Sequence, residues 1–580
     1  MTMKRKPKYD HVLFVALMTL LLLPLVQGWL GWVNVKPLAG VTYEAKRPSW
    51  TWANYRSGDL AQESEVYASE HYGFREVSIR LYNQYLWTCY KKTYAHDVVA
   101  GKHGWLFYPQ SVDDYYGHEL LRWHNSTDEA RRRFDMEVKY MNWARSILKE
   151  NGIELMMFMA PEKGQLYPEH LPDGEKDTTT FNACDYFAQR FEETGFPYIE
   201  MTRWFQQIKD TVNYPLIPQT GAHWVFPCVY AADSLFRYIG ELNGTRLPQI
   251  QLGPLHEVKN HAIDNDIEHL LNLVFPLRHQ YGFSPRAKVS IVADSLCSNP
   301  KVLLVGNSFF WAFNTYLPLD EVFDETEFWF YGATAYYGDS LHLTANVNDL
   351  NLLEKLLHFD DVVWFTTGNQ MSKGTSGFAE KAIVSLCYSD EAIGKVYDHL
   401  MDSLKHDGVT MASFDEPIDD STCHRQLWVQ ANKLIYSHPE RYFPELLADS
   451  LPAIRNPRIK EILTIQEIEA DSVWLWKLAE YQTVIQNATL EQVLLIEARN
   501  RIDGRPLLRD MPDPEAKRDR VEQLVAAMVE EVKGKPVLMQ QIEEKAKKNG
   551  KSLEEQTLDD ARWIVNDLIK RNYYSLETPQ

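Results

Sequence analysis

Short apolar runs separated by amphipathic helical patterns occupy the chain from about residue 130 to residue 370. Each run is mostly apolar, without a regular alternation of polar residues, which is typical of strands buried on both faces of a sheet. The strands predicted in this way are IELMMFMAP (153–161), PYIEM (197–201), KVLLVG (301–306), EFWFYG (327–332) and DVVWFTTGN (361–369). Helices between such strands indicate a parallel sheet that is covered on both sides. We therefore expect an α/β domain, to which we assign residues 96–377.

The N-terminal pattern is different, because a basic segment precedes a long uncharged apolar run. The run extends from Val12 to Val26 and continues to Trp32, and it contains no small residues in a signal-peptidase pattern. It predicts a transmembrane signal anchor over residues 9–32, with residues 1–8 as a cytoplasmic tail. The rest of the chain would then lie outside the cytoplasm, in the periplasm if the membrane is a bacterial inner membrane. A cleaved signal peptide and a buried globular helix are the alternatives.

Two further patterns lie between the anchor and the α/β domain. Residues 33–95 combine a tether rich in proline and tryptophan with a helical pattern from residue 62 to residue 90. Residues 95–110 then contain two apolar stretches around a Gly-Lys-His-Gly turn, which predicts a hairpin at the start of the next domain.

Helical patterns dominate from residue 378 to residue 580. Residues 472–502 align with residues 536–565, so this region contains a candidate internal repeat of helical hairpins. Chance similarity between amphipathic helices is the alternative. The charged stretch at residues 510–520 is interpreted as a solvated linker between the two copies.

Composition excludes some classes of function. The chain of 580 residues has a formal net charge of −20 and no clustered basic surface pattern, which argues against a nucleic-acid partner. Its six cysteines are scattered and form no C-x-x-C pair, so no metal site is predicted and no disulfide is assigned.

Ser308 is the first candidate for chemistry. It lies in KVLLVGNSFFWAF (301–313), where a buried strand runs through Gly306 and Asn307 into a helix. Ligands of parallel sheets bind at the carboxyl ends of the strands, where this serine falls. A serine at a helix start also satisfies free backbone N–H groups, so a capping role is the alternative. His223 in PQTGAHWVF (218–226) is the best candidate base, and a helix-capping histidine is the alternative there.

Four short motifs in order carry a resemblance to a known family. They are GKHGWLFY (101–108), APEKGQLYPEHLP (160–172), TGAHW (220–224) and LLVGNSFF (303–310). Together they resemble the SGNH hydrolase-like family of the alginate O-acetylation proteins AlgJ and AlgX, over about residues 60–370. The resemblance implies a flavodoxin-like α/β/α sandwich, with Ser308 as nucleophile and His223 as base.

One position departs from the family pattern. Gly221 stands where the family has the aspartate that orients the histidine. An orienting carboxylate fixes the histidine tautomer, and its loss lowers the rate of serine hydrolases by orders of magnitude. Three readings stay open: a Ser–His dyad, an acid from elsewhere such as Asp294 or Asp233, or an inactive protein kept for binding.

Other residues are predicted to serve the same site. The backbone N–H groups of Ser308 and Phe309 and the side chain of Asn369 are candidate oxyanion donors, although Asn369 is equally a turn residue after a strand. Lys163 either meets an anionic sugar carboxylate or positions a loop. Tyr331 and Tyr336 are candidates for lining a sugar groove, although aromatic residues at strand ends are more often part of a core.

These expectations combine into one function. The chain is predicted to be a membrane-anchored extracytoplasmic O-acetyltransferase that passes an acetyl group from Ser308 to a cell-surface or exopolysaccharide hydroxyl. The resemblance implies that a membrane-bound O-acyltransferase supplies the acetyl group, and no cofactor is implied. A catalytically inactive polysaccharide-binding scaffold and a carbohydrate esterase are the alternatives.

Overall fold

The computed structural model describes residues 9–40, 45–260, 262–406, 420–484, 488–510 and 514–570. The chain divides into two compact units. The first, the α/β unit, comprises Met1–Leu350 and Phe359–Ala379, and the second, the helical unit, comprises Asn351–His358 and Glu380–Gln580. This division agrees with the α/β class and the helical C-terminal region that the sequence predicts.

The strands and helices have the following bounds. The strands are β1 (Val99–Ala100), β2 (Leu106–Phe107), β3 (Glu154–Ala160), β4 (Tyr198–Glu200), β5 (Gln249–Leu252), β6 (His256–Lys259), β7 (Phe283–Arg286), β8 (Val289–Val292), β9 (Lys301–Gly306), β10 (Glu325–Phe330), β11 (Thr334–Tyr337), β12 (Leu343–Asn346) and β13 (Asp361–Thr367). The helices are α1 (Tyr9–Leu30), α2 (Trp52–Ser57), α3 (Asp59–His71), α4 (Arg75–Tyr90), α5 (Pro109–Tyr116), α6 (Leu120–Trp123), α7 (Thr127–Glu150), α8 (Lys163–Leu166), α9 (Ala183–Thr194), α10 (Met201–Ile208), α11 (Cys228–Asn243), α12 (Asp266–Leu270), α13 (Phe310–Tyr316), α14 (Leu352–His358), α15 (Gly368–Met371), α16 (Phe378–Cys387), α17 (Asp390–His406), α18 (Asp420–Ser437), α19 (Arg458–Ala470), α20 (Ser472–Val484), α21 (Leu490–Ile502), α22 (Pro514–Lys533), α23 (Pro536–Asn549) and α24 (Leu553–Lys570).

A seven-stranded sheet forms the centre of the α/β unit, in the order β12-β11-β10-β9-β13-β3-β4. The strands from β10 to β4 are parallel, whereas β11 and β12 add an antiparallel edge. The five predicted strands are therefore all present and parallel. If β9, β10, β13, β3 and β4 are numbered 1 to 5, the parallel strands stand in the flavodoxin-like order 2-1-3-4-5. The first of them along the chain, however, is β3, which is number 4 in this order. The fold is thus flavodoxin-like with a circularly permuted chain.

Helices cover both faces of the sheet. Side chains of its central strands point alternately to the two faces, and on each face they pack against helices. Every residue of β3 and β13 is buried. Met156 and Phe158 pack in a cluster with residues of α10, α11 and α13. Met159 has the opposite parity and contacts Cys184 of α9 on the other face. This alternation produces the three-layer α/β/α sandwich.

The segments before the sheet follow their predicted patterns with one correction. Strands β1 and β2 pair antiparallel around the Gly-Lys-His-Gly turn, so the hairpin is confirmed. The prediction of a single helix over residues 62–90 is wrong. Two helices, α3 and α4, are separated by a short non-helical segment in which Phe74 has a φ of 63°. Helix α1 contains His11–Leu30, which is long and apolar enough to cross a membrane by length and composition.

In the helical unit, both segments of the candidate repeat form helix pairs. Helices α20 and α21 fall within residues 472–502, and α23 and α24 begin within residues 536–565. Val493, Val525 and Val565 belong to one buried cluster of this unit. The predicted linker at residues 510–520 is wrong from residue 514 onwards, where α22 begins, and residues 511–513 lie outside the described residues. The repeat itself stays a prediction.

Candidate active site

Ser308 lies in the turn between β9 and α13, at the carboxyl end of the sheet. The preceding strand ends at Gly306, where an added Cβ atom would come within 2.0 Å of the Phe365 carbonyl oxygen. Glycine at this position therefore lets β9 approach β13 closely. In the permuted order, β9 and β13 flank the switch point of the sheet, which is where ligands of such folds bind.

His223 approaches Ser308 from the loop before α11. Its Nε2 atom lies 2.8 Å from Ser308 Oγ. The neighbouring Trp224 is fully buried, and its Nε1–H donates to the Phe309 carbonyl oxygen at 2.9 Å. This hydrogen bond joins the histidine loop to the serine turn, so the two predicted residues are held together by core packing.

Asp266 occupies the other side of the imidazole. Its Oδ2 lies 2.5 Å from His223 Nδ1, and its Oδ1 accepts hydrogen bonds from the backbone N–H groups of Ala222 and Ile267 at 2.7 and 2.9 Å. A carboxylate only accepts hydrogen bonds, so Nδ1 carries the proton and Nε2 is left to accept the Ser308 hydroxyl proton. Ser308, His223 and Asp266 therefore form a hydrogen-bonded triad.

Gly221 explains why the acid comes from another segment. A Cβ atom added at this glycine would lie 2.6 Å from the Asp264 carbonyl oxygen and 3.1 Å from Asp266 Oδ1. The segment around Asp266 thus fills the space that a side chain at position 221 would need. The motif lacks a carboxylate at position 221, and Asp266, 43 residues after His223, takes its place beside the imidazole.

The acids named from the sequence, Asp294 and Asp233, do not reach His223. Asp294 pairs with Arg246, and Asp233 pairs with Arg237 at 2.8 Å, one turn along α11. Each of the two acids is thus directed to an arginine rather than to the imidazole. The orienting acid at this site is Asp266.

The oxyanion candidates differ in their availability. The Phe309 N–H donates to Asn307 Oδ1 at 3.1 Å, so it is already engaged. Asn307 Nδ2 donates to Thr367 Oγ1 at 3.0 Å, and the Thr367 hydroxyl donates to Asn369 Oδ1 at 2.8 Å. This chain of bonds holds the carbonyl end of the Asn369 amide, which leaves its Nδ2 donors without a partner among the described residues. Asn369 and Ser308 both line the same pocket.

Lys163 is buried below the histidine loop and is only 3 % exposed. Its Nζ lies within hydrogen-bond distance of four backbone carbonyl oxygens, those of Leu106 (2.7 Å), Pro218 (2.8 Å), Gln219 (3.1 Å) and Gly221 (2.6 Å). Burial lowers the pKa of Lys163 to about 7, whereas Asp266 and Glu162 favour its charged form. Of the two roles predicted for this lysine, the structure supports the loop-positioning one, because its N–H donors are directed to the backbone.

Two buried carboxyl groups lie beside the site. Glu162 accepts from the Ser111 hydroxyl and from the Asn369 N–H, and burial raises its pKa. Asp114 accepts from Gln165 Nε2 at 3.0 Å, and burial, followed by the charge of Glu162, raises the pKa of Asp114 to about 7. Sequence reasoning named neither residue, because nothing local marks a carboxylate as buried.

A pocket of about 300 Å³ opens onto the triad. Tyr331 and Tyr108 line it together with Asp97 and Glu162. Tyr331 has a φ of 50°, a strained backbone conformation for a residue with a side chain, and it is 56 % exposed. Tyr336, the second predicted groove residue, is instead half-buried and packs edge-to-face on Trp311, with ring centroids 4.8 Å apart.

Comparison with known structures gives the following overall similarities. The O-acetyltransferase domain of Pseudomonas putida AlgJ is 16 % identical with a TM-score of 0.32, and the match covers 50 % of this chain and 97 % of that one. Pseudomonas aeruginosa AlgX is 17 % identical with a TM-score of 0.32, over 50 % of this chain and 66 % of that one. Bacillus cereus PatB1 is 12 % identical with a TM-score of 0.28, over 48 % and 98 %.

Sequence comparison gives two further matches. Residues 98–225 match the family model described as SGNH hydrolase-like domain, acetyltransferase AlgX. The probable alginate O-acetylase AlgJ of Pseudomonas aeruginosa is 25 % identical over 209 residues, which cover 34 % of this chain and 45 % of that protein. The chain thus spans less than half the length of this curated relative. Residues 98–225 of the α/β unit are therefore similar to an SGNH hydrolase-like domain of the acetyltransferase AlgX type.

Proposed function

We propose that the chain is an extracytoplasmic O-acetyltransferase that transfers an acetyl group through Ser308 to a hydroxyl of a polysaccharide. The observation that carries the proposal is the triad of Ser308, His223 and Asp266 at the mouth of a pocket. The match to the acetyltransferase AlgX family model and the similarity to a probable alginate O-acetylase support acetyl as the transferred group. The similarity to an alginate O-acetylase also supports a polysaccharide as the acceptor.

The first half-reaction forms an acetyl ester on the serine. Ser308 Oγ attacks the carbonyl carbon of the acetyl donor while His223 Nε2 takes the hydroxyl proton. Asp266 stabilises the resulting imidazolium through Nδ1. The bond from the carbonyl carbon to the donor oxygen then breaks, and the leaving group takes the proton from Nε2.

The second half-reaction repeats these steps with the acceptor. A sugar hydroxyl loses its proton to His223 Nε2 and attacks the acetyl carbon, and Ser308 Oγ leaves and recovers the proton. In both halves the tetrahedral oxyanion is stabilised by the Asn369 amide and the Ser308 backbone N–H, which lie at the same pocket. The Asn369 amide is held through its Oδ1 by the Thr367 hydroxyl before the reaction, as such stabilisation requires.

Helix α1 gives the proposed location. Its apolar residues His11–Leu30 are preceded by four basic residues, which fits a single-pass anchor with its N-terminus in the cytoplasm. The part of the α/β unit that follows residue 32 then lies in the periplasm of a bacterium. Acetyl coenzyme A is a cytoplasmic donor, so we assign delivery of the acetyl group to a membrane-bound O-acyltransferase.

Intact-mass spectrometry of the full chain in detergent tests the proposal. After incubation with 4-nitrophenyl acetate, the wild-type protein is expected to gain one acetyl group, located on Ser308 by peptide mapping. The Ser308→Ala variant is expected to gain none at the same exposure. An equal gain in both proteins would contradict a covalent role for Ser308.

The fate of the acetyl group then separates transfer from hydrolysis. For a transferase, a polysaccharide acceptor accelerates loss of the adduct and becomes O-acetylated. For an esterase, water removes the adduct at the same rate with or without a saccharide. The alternative of an inactive scaffold lacks the support of geometry, because a carboxylate reaches the free nitrogen of His223.

A further inference from the structure

The charge of the active-site pocket bears on the acceptor. Asp97 and Glu162 both contribute to its lining. Lys163 is the only lysine or arginine among the described residues that line it, and its Nζ is directed to four backbone carbonyl oxygens. Glu162 is buried and its oxygens already accept from the Ser111 hydroxyl and the Asn369 N–H, so Asp97 is the carboxylate open to a ligand. No ammonium or guanidinium among the lining residues is directed toward a ligand.

Asp97 is the carboxylate best placed to meet an acceptor. It lies in the exposed turn before β1, and no ion pair of its side chain occurs within the part of the chain that the structure describes. Its charge is felt inside the pocket, since burial, followed by the charges of Asp266 and Asp97, raises the pKa of Tyr108 to about 12. Burial is the larger cause of this shift, and the charge of Asp97 adds to it in the same direction.

Tyr331 supplies the second element of recognition. It directly follows β10, and its N–H donates to the Gly306 carbonyl oxygen at 2.6 Å. Its backbone conformation is left-handed, and the residue lines the pocket. The ring is half exposed although large apolar surfaces usually avoid water. An exposed aromatic ring and a carboxylate that accepts hydroxyl hydrogen bonds in one pocket are a chemical match for an uncharged sugar ring.

We propose that the acceptor residue bound in this pocket is a neutral sugar, stacked on Tyr331 and donating hydroxyl hydrogen bonds to Asp97, and that uronic acids are rejected by charge. This inference rests on the proposed transferase function. A uronate carboxylate in the pocket would face the exposed Asp97 with no ammonium or guanidinium directed toward it, and like charges at an interface disfavour binding. A neutral ring meets Asp97 as a hydrogen-bond acceptor.

A matched pair of acceptors tests the proposal. Methyl β-glucuronide and its primary amide have the same ring and hydroxyl groups, and the amide replaces the charged carboxylate by a neutral group of similar size. The salt dependence of the rate ratio separates the effect of charge from that of the amide N–H donors. The full chain in detergent is first acetylated on Ser308, and the rate at which each glycoside removes the acetyl group is followed by intact mass. At low salt the amide is expected to react at least about tenfold faster, equivalent to about 1.4 kcal/mol. At 1 M salt the ratio of the amide rate to the glucuronide rate is expected to fall, because the Debye screening length shortens from about 10 Å at 0.1 M to about 3 Å.

Two substitutions assign the effect to the pocket. Asp97→Asn is expected to bring the ratio toward one by accelerating the reaction of the anionic glycoside. Asp210→Asn, which removes an exposed carboxylate that does not line the pocket, is expected to leave the ratio unchanged. Equal rates for the two glycosides, acceleration by neither, or a preference for the anion would overturn the proposal.

A binding measurement separates this inference from the proposed function. If no acetyl-Ser308 forms, the transferase proposal fails, and affinities of the same two glycosides for the Ser308→Ala variant still test the charge preference. Tighter binding of the amide than of the anion supports a neutral acceptor site. Tighter or equal binding of the anion overturns it, whatever the chemistry at Ser308.

Discussion

Asp266 Oδ2 lies 2.5 Å from His223 Nδ1, and this contact completes a triad that the local motif lacks. The same carboxylate accepts two backbone hydrogen bonds through Oδ1, one from the residue next to His223. The histidine and its acid are therefore fixed to one another through both the side chain and the backbone. Orientation of the imidazole depends on the segment that carries Asp266 as much as on the loop that carries His223.

We expect Asp266→Asn to lower the rate of Ser308 acetylation by about 10²- to 10⁴-fold, because the amide favours the wrong tautomer of His223. The rate is measured with 4-nitrophenyl acetate, and circular dichroism verifies the fold. Asp294→Asn and Asp233→Asn are controls, since both acids pair with arginines elsewhere, and their rates are expected to stay within about twofold of wild type. A loss below tenfold for Asp266→Asn would instead support a Ser–His dyad.

Asn369→Ala removes the proposed oxyanion donor. We expect kcat to fall about 10²-fold with little change in KM, because the donor is needed mainly in the tetrahedral transition state. Thr367→Val removes only the hydroxyl that holds Asn369 Oδ1, so its loss of kcat is expected to be smaller. An unchanged kcat for Asn369→Ala would assign the oxyanion to backbone donors alone.

Lys163→Met tests the positioning role of the buried ammonium. The substitution removes a donor from all four carbonyl oxygens, but those of Pro218 and Gln219 still accept from the Gly221 and Leu106 N–H groups. Each unpaired buried acceptor costs about 1–3 kcal/mol, so we expect the free energy of unfolding of the α/β unit to fall by at least about 2 kcal/mol. Lys209→Met is the matched control, because Lys209 Nζ bonds one carbonyl oxygen and the exposed Glu169, and its loss is expected to be about 1 kcal/mol. Equal losses in the two variants would contradict a special role for Lys163.

The raised pKa of Asp114 is expected to make the free energy of unfolding depend on pH. Its pKa is raised to about 7, so the folded chain keeps a proton between about pH 4 and pH 7 that the unfolded chain has released. This group therefore makes the folded state progressively less stable as pH rises through that window. Asp114→Asn removes the effect, and we expect the variant to match wild type near pH 4 and to exceed it by about 1–2 kcal/mol at pH 8. Thermal unfolding at both pH values measures the difference, with Asp210→Asn as the exposed control. A pH-independent difference would contradict the assignment.

Local patterns were sufficient for the parts of the fold that depend on local chemistry. The runs that became β3, β9 and β13 are apolar because both faces of the sheet are covered, so their burial could be predicted without knowing their neighbours. Their order in the sheet could not, because strand pairing joins residues far apart in the chain. The antiparallel strands β11 and β12 were missed for a related reason: they lie at an edge and are mostly half-buried or exposed, so the apolar signal is absent.

The candidate site shows the same limit. Ser308 and His223 stand in recognisable turns, whereas Asp266 lies in a segment whose local sequence carries no catalytic pattern. Lys163 offered two roles, and only the four carbonyl oxygens around its Nζ decide between them. The glycine at position 221 was the one available signal, since its departure from the family pattern left three possibilities: a Ser–His dyad, an acid from elsewhere, or an inactive protein.

Gly221→Asp tests that relocation directly. Although the substitution restores the family residue, we expect it to lower the acetylation rate at least tenfold, because its Cβ would lie 2.6 Å from the Asp264 carbonyl oxygen and displace the segment that carries Asp266. Overpacking of this kind typically costs about 1–3 kcal/mol, so the melting temperature is expected to fall as well. Gly282→Ala is the control, since no atom outside its chain neighbours lies within 4 Å of an added Cβ there, and it is expected to retain wild-type rate and stability. Wild-type activity in Gly221→Asp would mean that the loop can reorganise to use either acid, and the double variant Gly221→Asp/Asp266→Asn would then identify which of the two orients His223.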